Sequence, residues 1–169
     1  RGYRGVTVRR ADAIMDADLG RFDLIVSNPP YVPTPPGTST GAAARAWDAG
    51  MRGRSLLDPL CERLPSMLAP GGTLLIGQSE FADIDQTMRR LRAAGTDVSV
   101  AARRRIAFGP VLNRRVEYLA REGLLTSDDH VETIAVIRAD RAVPAERSSA
   151  TIAERHRNGA DRVPPVMTR

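Results

Sequence analysis

The apolar run Leu24-Ile25-Val26 stops at Asn28-Pro29-Pro30-Tyr31, and this junction constrains the fold more than any other stretch of the chain. A short continuous apolar run bounded by turn residues is the pattern of a strand buried on both faces, as in parallel sheets covered by helices. Proline fixes φ and removes the N–H donor, so a strand over 22–27 has to end there. Residues 29–53 then hold Pro29, Pro30, Pro33, Pro35 and Pro36 together with Gly37, Gly41, Gly50 and Gly53, which predicts a loop of roughly twenty-five residues. Loops of that length inside a domain are usually functional or disordered.

The remaining periodicity alternates between the two regular structures. Gly5 to Val8 is a short β-prone stretch. Leu56, Leu57, Leu60, Cys61, Leu64, Met67 and Leu68 follow a helical stripe, with Pro59 and Pro65 implying a late start or a kink, and Pro70-Gly71-Gly72 ends it. Thr73 to Gly77 reads as a buried strand. Asp83 caps a helix with the stripe Ile84, Met88, Leu91, closed by Gly95. Asp97 to Phe108 reads as a strand, Pro110 to Glu122 as a short amphipathic helix, and Val131 to Arg138 as a final strand. Strands alternating with helices predict an α/β domain with a mainly parallel sheet, whose ligands sit beyond the carboxyl ends of the strands.

Composition narrows the setting. The chain has 169 residues, enough for one domain. No apolar run approaches the length of a membrane span, and the single cysteine, Cys61, has no partner for a disulfide or a cysteine-based metal site. These features predict a soluble, cytoplasmic protein. All 25 basic residues are arginine, and the charge divides unevenly: 19 arginines face 17 acids up to Asp140, and 6 face 3 beyond it. The excess therefore sits in residues 141–169, a stretch without apolar period that reads as a basic, disordered tail. A nearly neutral body is weak support for a phosphate-tracking groove. His130 and His156 lack any metal-ligand spacing, and no metal is expected.

Asn28-Pro29-Pro30-Tyr31 offers specific chemistry at the end of a buried strand. Two prolines leave carbonyl acceptors without N–H donors, and the Asn28 side chain adds another carbonyl. A planar NH₂ could give one hydrogen to each acceptor while Tyr31 stacks beside it, which would position a weakly nucleophilic nitrogen for attack.

With Val32-Pro33-Thr34-Pro35-Pro36, Ala46-Trp47-Asp48-Ala49-Gly50, Gly53-Arg54 and Leu68-Ala69-Pro70-Gly71-Gly72 around it, the tetrapeptide resembles the class I S-adenosylmethionine-dependent methyltransferases. Within them it resembles the HemK/PrmC-like group, which methylates the glutamine side-chain amide of peptide-chain release factors. The resemblance covers about residues 5–140. It implies a Rossmann-like sheet of strand order 3-2-1-4-5-7-6 and S-adenosylmethionine as cofactor. It assigns Asn28, Pro29, Pro30 and Tyr31 to the methyl-transfer pocket, with Asp12 and Asn28 toward the cofactor and a release factor as protein substrate. Trp47 is expected to anchor the long loop by packing rather than to touch substrate.

Two departures stand out. No acid-x-Gly-x-Gly cofactor loop precedes Asn28, and no second strand ends in a ribose-binding acid. The chain is therefore expected to start at the family's third strand, truncated at its N-terminus, with residues 1–140 forming the back portion of the domain, and to bind S-adenosylmethionine poorly. Arg103, Arg104, Arg105, Arg114 and Arg115 are expected to form a solvated face, or else to meet ribosomal RNA or an acidic protein surface. Alternatives are a methyltransferase acting on an RNA or DNA base and a truncated, non-catalytic remnant with a partner-binding surface.

Overall fold

The computed structural model describes residues 5–16, 19–38, 41, 44–125 and 130–144. Strands β1 (Phe22–Ser27), β2 (Leu68–Ser79), β3 (Thr96–Ala107) and β4 (Val131–Arg141) form one sheet in the order β1-β2-β4-β3. That order matches the 4-5-7-6 portion of the strand order implied by the resemblance. β1 and β2 pair in parallel, whereas β4 runs antiparallel to both β2 and β3. The expectation of a mainly parallel sheet therefore holds for strand direction but not for pairing. One inserted antiparallel strand separates β2 from β3.

Helices α1 (Leu57–Arg63) and α2 (Ile84–Ala93) cover one face of the sheet. α1 starts late, with Pro59 in its first turn, and passes into a 3-10 turn over Leu64–Met67 with Pro65 near its start, where a missing N–H costs least. Asp83 caps α2, its Oδ1 accepting from the Gln86 N–H at 2.8 Å. Leu57, Leu74, Ile76, Leu91 and Ile137 are fully buried between these layers, each contributing about 1.5–3 kcal/mol relative to exposure. Cys61 lies among them, and burial pushes its thiol up to about 11. It is a packing residue, as its place on the apolar stripe suggests.

Three expectations need correction. Residues 5–8 form no strand, and Val6 and Val8 are 66% and 91% exposed. No described strand lies beside them to take up their backbone groups, and β-propensity alone does not hold an extended segment. The helix expected over 110–122 is divided into α3 (Pro110–Asn113) and α4 (Val116–Arg121), broken at Arg114-Arg115. Pro70-Gly71-Gly72 does not lie outside the strand but makes an irregularity within β2, where the register slips from Phe22↔Leu68 to Leu24↔Thr73. The expected tail lies almost wholly outside the described residues. No described helix is long and apolar enough to cross a membrane.

The face of β1 turned away from the helices is open, with Leu24 and Val26 56% and 69% exposed. β1 is an edge strand among the described residues, paired only with β2.

Arg54 joins the helical layer to the end of β2. Only 7% exposed, it donates through Nη2 to Asp58 Oδ1 at 2.6 Å, and through Nη1 to the Asp83 carbonyl at 2.9 Å, Thr87 Oγ1 at 3.1 Å and the Ala82 carbonyl. Removing it takes one donor from each of these acceptors, while the Asp83 carbonyl keeps the Thr87 N–H at 3.2 Å and Asp58 keeps Arg90 at 3.0 Å. Replacement of Arg54 by Met is expected to cost about 1–3 kcal/mol in urea unfolding, because several part-buried hydrogen bonds are lost together.

Candidate functional site

The site grows from the carboxyl end of β1. Parallel register puts Val26 opposite Leu75, so Asn28 falls level with Gly77 on the open face. A Cβ at Gly77 would come within 3.3 Å of Asn28 Oδ1, so glycine is what leaves the Asn28 side chain its space. That side chain is exposed and makes no hydrogen bond with a described residue. Pro29 behind it is buried, and Tyr31 is half-buried between the two apolar clusters of the molecule. Asn28, Pro29, Pro30 and Tyr31 thus leave β1 as one rigid corner with its free amide carbonyl at the surface.

The proline-rich stretch after it is a built structure. Val32 and Asp48 form an isolated bridge, with the Val32 N–H donating to the Trp47 carbonyl at 2.9 Å and the Ala49 N–H to the Val32 carbonyl at 3.1 Å. Gly53, at φ +69°, turns the chain against Tyr31. A Cβ there would overlap the Tyr31 carbonyl and touch Pro33 Cδ at 3.3 Å, so only glycine fits. Trp47 packs against the apolar cluster formed by Val32, Phe81, Phe108, Leu112 and Leu119, in keeping with its expected role as an anchor.

Arg115 holds this loop from the far side. Its Nη1 donates to the Pro33 carbonyl at 2.9 Å and to Thr34 Oγ1 at 3.1 Å, and its Nη2 pairs with Asp48 Oδ1. Both side chains are close to fully buried, 11% and 6% exposed. Tyr118 adds a bond from its hydroxyl to the Met51 carbonyl at 2.9 Å. Arg115 is therefore an internal clamp and not part of a solvated or partner-facing surface. Arg103, Arg104 and Arg114 do remain exposed.

Asp12 lies elsewhere. It is exposed, and its Oδ1 accepts from the Ile14 and Met15 N–H groups at 2.8 and 3.1 Å, capping its own turn. That turn docks on the α1 side, where Arg63 donates to the Asp16 carbonyl at 3.0 Å. No hydrogen bond links Asp12 to Asn28 among the described residues. For a nucleoside cofactor such as S-adenosylmethionine, the described residues do not make a full cradle: Asp12 serves its turn, no glycine-rich loop stands beside β1, and the face next to Asn28 is open.

The sequence reading missed Glu132. It is 7% exposed at the start of β4, two residues from Ile134, which pairs with Ser79. Alternation puts Glu132 on the same face as Ser79, Gly77 and Asn28. Burial raises its carboxyl above the ordinary glutamate range, with Glu80 adding to the rise and the Ser79 hydroxyl bond opposing it, and its Oε2 has no partner. Its charge and, more strongly, burial raise the Tyr31 phenol in turn. An acid one residue into an apolar strand was the available signal. Among the described residues no group of side chains could hold a metal ion.

Two outcomes are expected. Replacing Arg115 by Met leaves Asp48 buried without its cation and lowers stability by about 3 kcal/mol in chemical denaturation. At Glu132 the folded chain holds a proton that the unfolded chain has released, so wild-type stability falls as pH rises from the ordinary glutamate value through the raised one. Glu132→Gln, with nothing to ionise, should melt at a higher temperature than wild type at about pH 7.5, and the gain should vanish near about pH 4.

No family model matches the chain. It is 36% identical over 90 residues to a provisionally named protein N5-glutamine methyltransferase of Methanocaldococcus jannaschii, covering 53% of this chain and 46% of that protein. It is 40% identical over 79 residues to the release factor glutamine methyltransferase of Rhodospirillum rubrum, covering 40% of this chain and 23% of that protein. It is 37% identical over 82 residues to methyltransferase HEMK2 of Mus musculus, covering 46% and 38%. The chain thus spans less than half the length of each of these relatives. Its fold is similar to a solved structure of the E. cuniculi Mtq2–Trm112 complex, responsible for methylation of the translation termination factor eRF1, with TM-score 0.50 and 21% identity over 83% of this chain and 64% of that one. Over the matched stretches the chain is similar in sequence to proteins named as glutamine methyltransferases and as HEMK2, and its described fold is similar to that of the Mtq2–Trm112 structure.

Proposed function

We propose that this chain is the acceptor-binding part of an S-adenosylmethionine-dependent methyltransferase that methylates a glutamine side-chain amide of a protein, with a peptide-chain release factor as substrate. The observation that carries the reading is the free Asn28 carbonyl at the end of β1, seated against Gly77 and followed by two prolines. Relatives named as glutamine methyltransferases support the substrate class.

An amide nitrogen is a poor nucleophile because its lone pair is delocalised into the carbonyl. Catalysis must then come from placement and from acceptors that favour the charge the nitrogen gains on reaction. Asn28 Oδ1 and the Pro29 carbonyl serve as two fixed acceptors for the two hydrogens of an NH₂. As the nitrogen becomes more positive its N–H bonds polarise, so both contacts strengthen on the way to the transition state. Pro30 and Tyr31 hold the corner rigid and give it an aromatic wall. The donor of the methyl group is S-adenosylmethionine, and its cradle needs more than the described residues provide.

The test is transfer of labelled methyl, at saturating S-adenosylmethionine, to release factor, tRNA, rRNA and DNA in parallel. Label is expected on a release-factor glutamine, and label on nucleic acid alone overturns the reading. Asn28→Ala should lower that rate by about a hundredfold, the usual cost of removing one fixed partner of a developing charge. Isothermal titration of the chain with S-adenosylmethionine should show binding weaker than micromolar.

A further inference from the structure

We propose that the outer edge of β3 is a docking site for an extended acidic segment of a partner protein, which adds to the sheet as a further strand and sets carboxylates against Arg103 and Arg105. The site is separate from Asn28 and independent of the glutamine reading, since β3 and β1 are opposite edges of the sheet, three strand spacings or about 14 Å apart. β3 pairs with β4 on one side, and no described strand pairs with its other side. Beyond the irregularity at Val100/Ala102, the register with β4 runs unbroken from Ala102 to Ala107, so this stretch presents a straight edge. Alternate residues of such an edge turn their N–H and C=O groups outward, and these are the groups that an added peptide strand takes up.

The side chains select the peptide. Arg103 and Arg105 lie opposite Ala135 and Thr133 on the side of the sheet that faces α2, whereas Arg104 and Ile106 lie opposite Ile134 and Glu132 on the open side. All four are exposed, and the side chains of Arg103 and Arg104 make no hydrogen bond or ion pair with a described residue. Charge on an edge strand commonly serves only to keep sheets apart, and three adjacent arginines do repel a second copy of this same edge. Arg103 and Arg105, however, also line two neighbouring cavities of about 420 and 340 Å³, which share Glu80, Phe81 and Leu124. These leave room beside the guanidinium groups for side chains of an added strand, which a purely repulsive role does not require. A peptide with an acid at every second position meets Arg103 and Arg105 together, and its intervening apolar residues meet Ile106 on the other side. Nucleic acid fits less well. It has no ladder of N–H and C=O groups to offer, and Glu80, Asp83 and Asp85 on the larger cavity oppose a run of phosphates.

The test uses the whole chain and three probes: the end-blocked hexapeptide Glu-Val-Glu-Val-Glu-Val, the same peptide with Gln for Glu, and hexauridylate. Binding is read by NMR titration at about 150 mM salt, where distant charges are screened, together with amide hydrogen exchange. The acidic peptide should bind at least about tenfold more tightly than either other probe and should slow exchange of outward-facing amides within residues 102–107. Arg103→Glu sets like charges opposite one another and should weaken that binding at least about tenfold, whereas Arg104→Glu, on the other face, should weaken it less than about threefold. Both side chains are exposed and unpaired, so both variants should melt close to wild type. No binding of the acidic peptide, equal binding of the neutral peptide, hexauridylate binding as tight, equal losses in the two variants, or binding without slowed exchange along β3 overturns the proposal. The comparison of probes is made on wild type, so it decides the matter even where a variant fails to fold.

Discussion

The pairing of Arg115 with Asp48 is the contact on which the rest of the acceptor site depends. A stretch so rich in proline and glycine forms no ladder of backbone bonds; its described residues make an isolated bridge between Val32 and Asp48 and a few single bonds, such as the Thr34 N–H to the Gly50 carbonyl at 2.9 Å. Some of its carbonyls, Pro33 and Met51 among them, take donors from outside. Arg115 supplies several from one planar group, reaching Pro33, Thr34 and Asp48 together, which a point charge such as lysine would not do. With the loop fixed from behind, Gly53 can press on the Tyr31 carbonyl, and Tyr31 can hold the corner that carries Asn28. Rigidity at Asn28 is thus borrowed from the turn between α3 and α4, far along the chain.

This dependence decides what could be read from the sequence. β1, α1, β2, α2, β3 and β4 were legible because each carries its own period and its own stops: Pro29 after β1, Asp83 before α2, Gly95 after it. The Asn28-Pro29-Pro30-Tyr31 corner was legible because its chemistry is contiguous. Arg115 was not, since an arginine among arginines gives no local sign of burial, and its partner lies 67 residues away. Glu132 was visible as an acid in an apolar strand, but its meaning depends on Ser79 and Tyr31, which only the sheet brings near. Residues 5–8 mark the opposite limit. Their composition favours a strand, yet a strand exists only where a neighbour accepts it.

The two faces of the sheet divide the labour. The helical face carries the larger apolar cluster and most of the stability, with Arg54 tying α1 to the turn before α2. The open face carries polar groups that the fold does not need, Asn28 and Glu132 among them. That is the usual pattern when residues break the rules of the core: they sit where function is and are held by a frame that follows those rules.

The place of β4 in the sheet has a consequence for how the chain is made. It lies between β2 and β3, yet both of them precede it in sequence. During synthesis the two emerge first and must leave a gap the width of one strand, with two unsatisfied edges facing it. Only when residues 131–141 leave the ribosome does the gap close. The sheet is therefore completed from the inside and late, and until then its central edges are open to any passing extended chain.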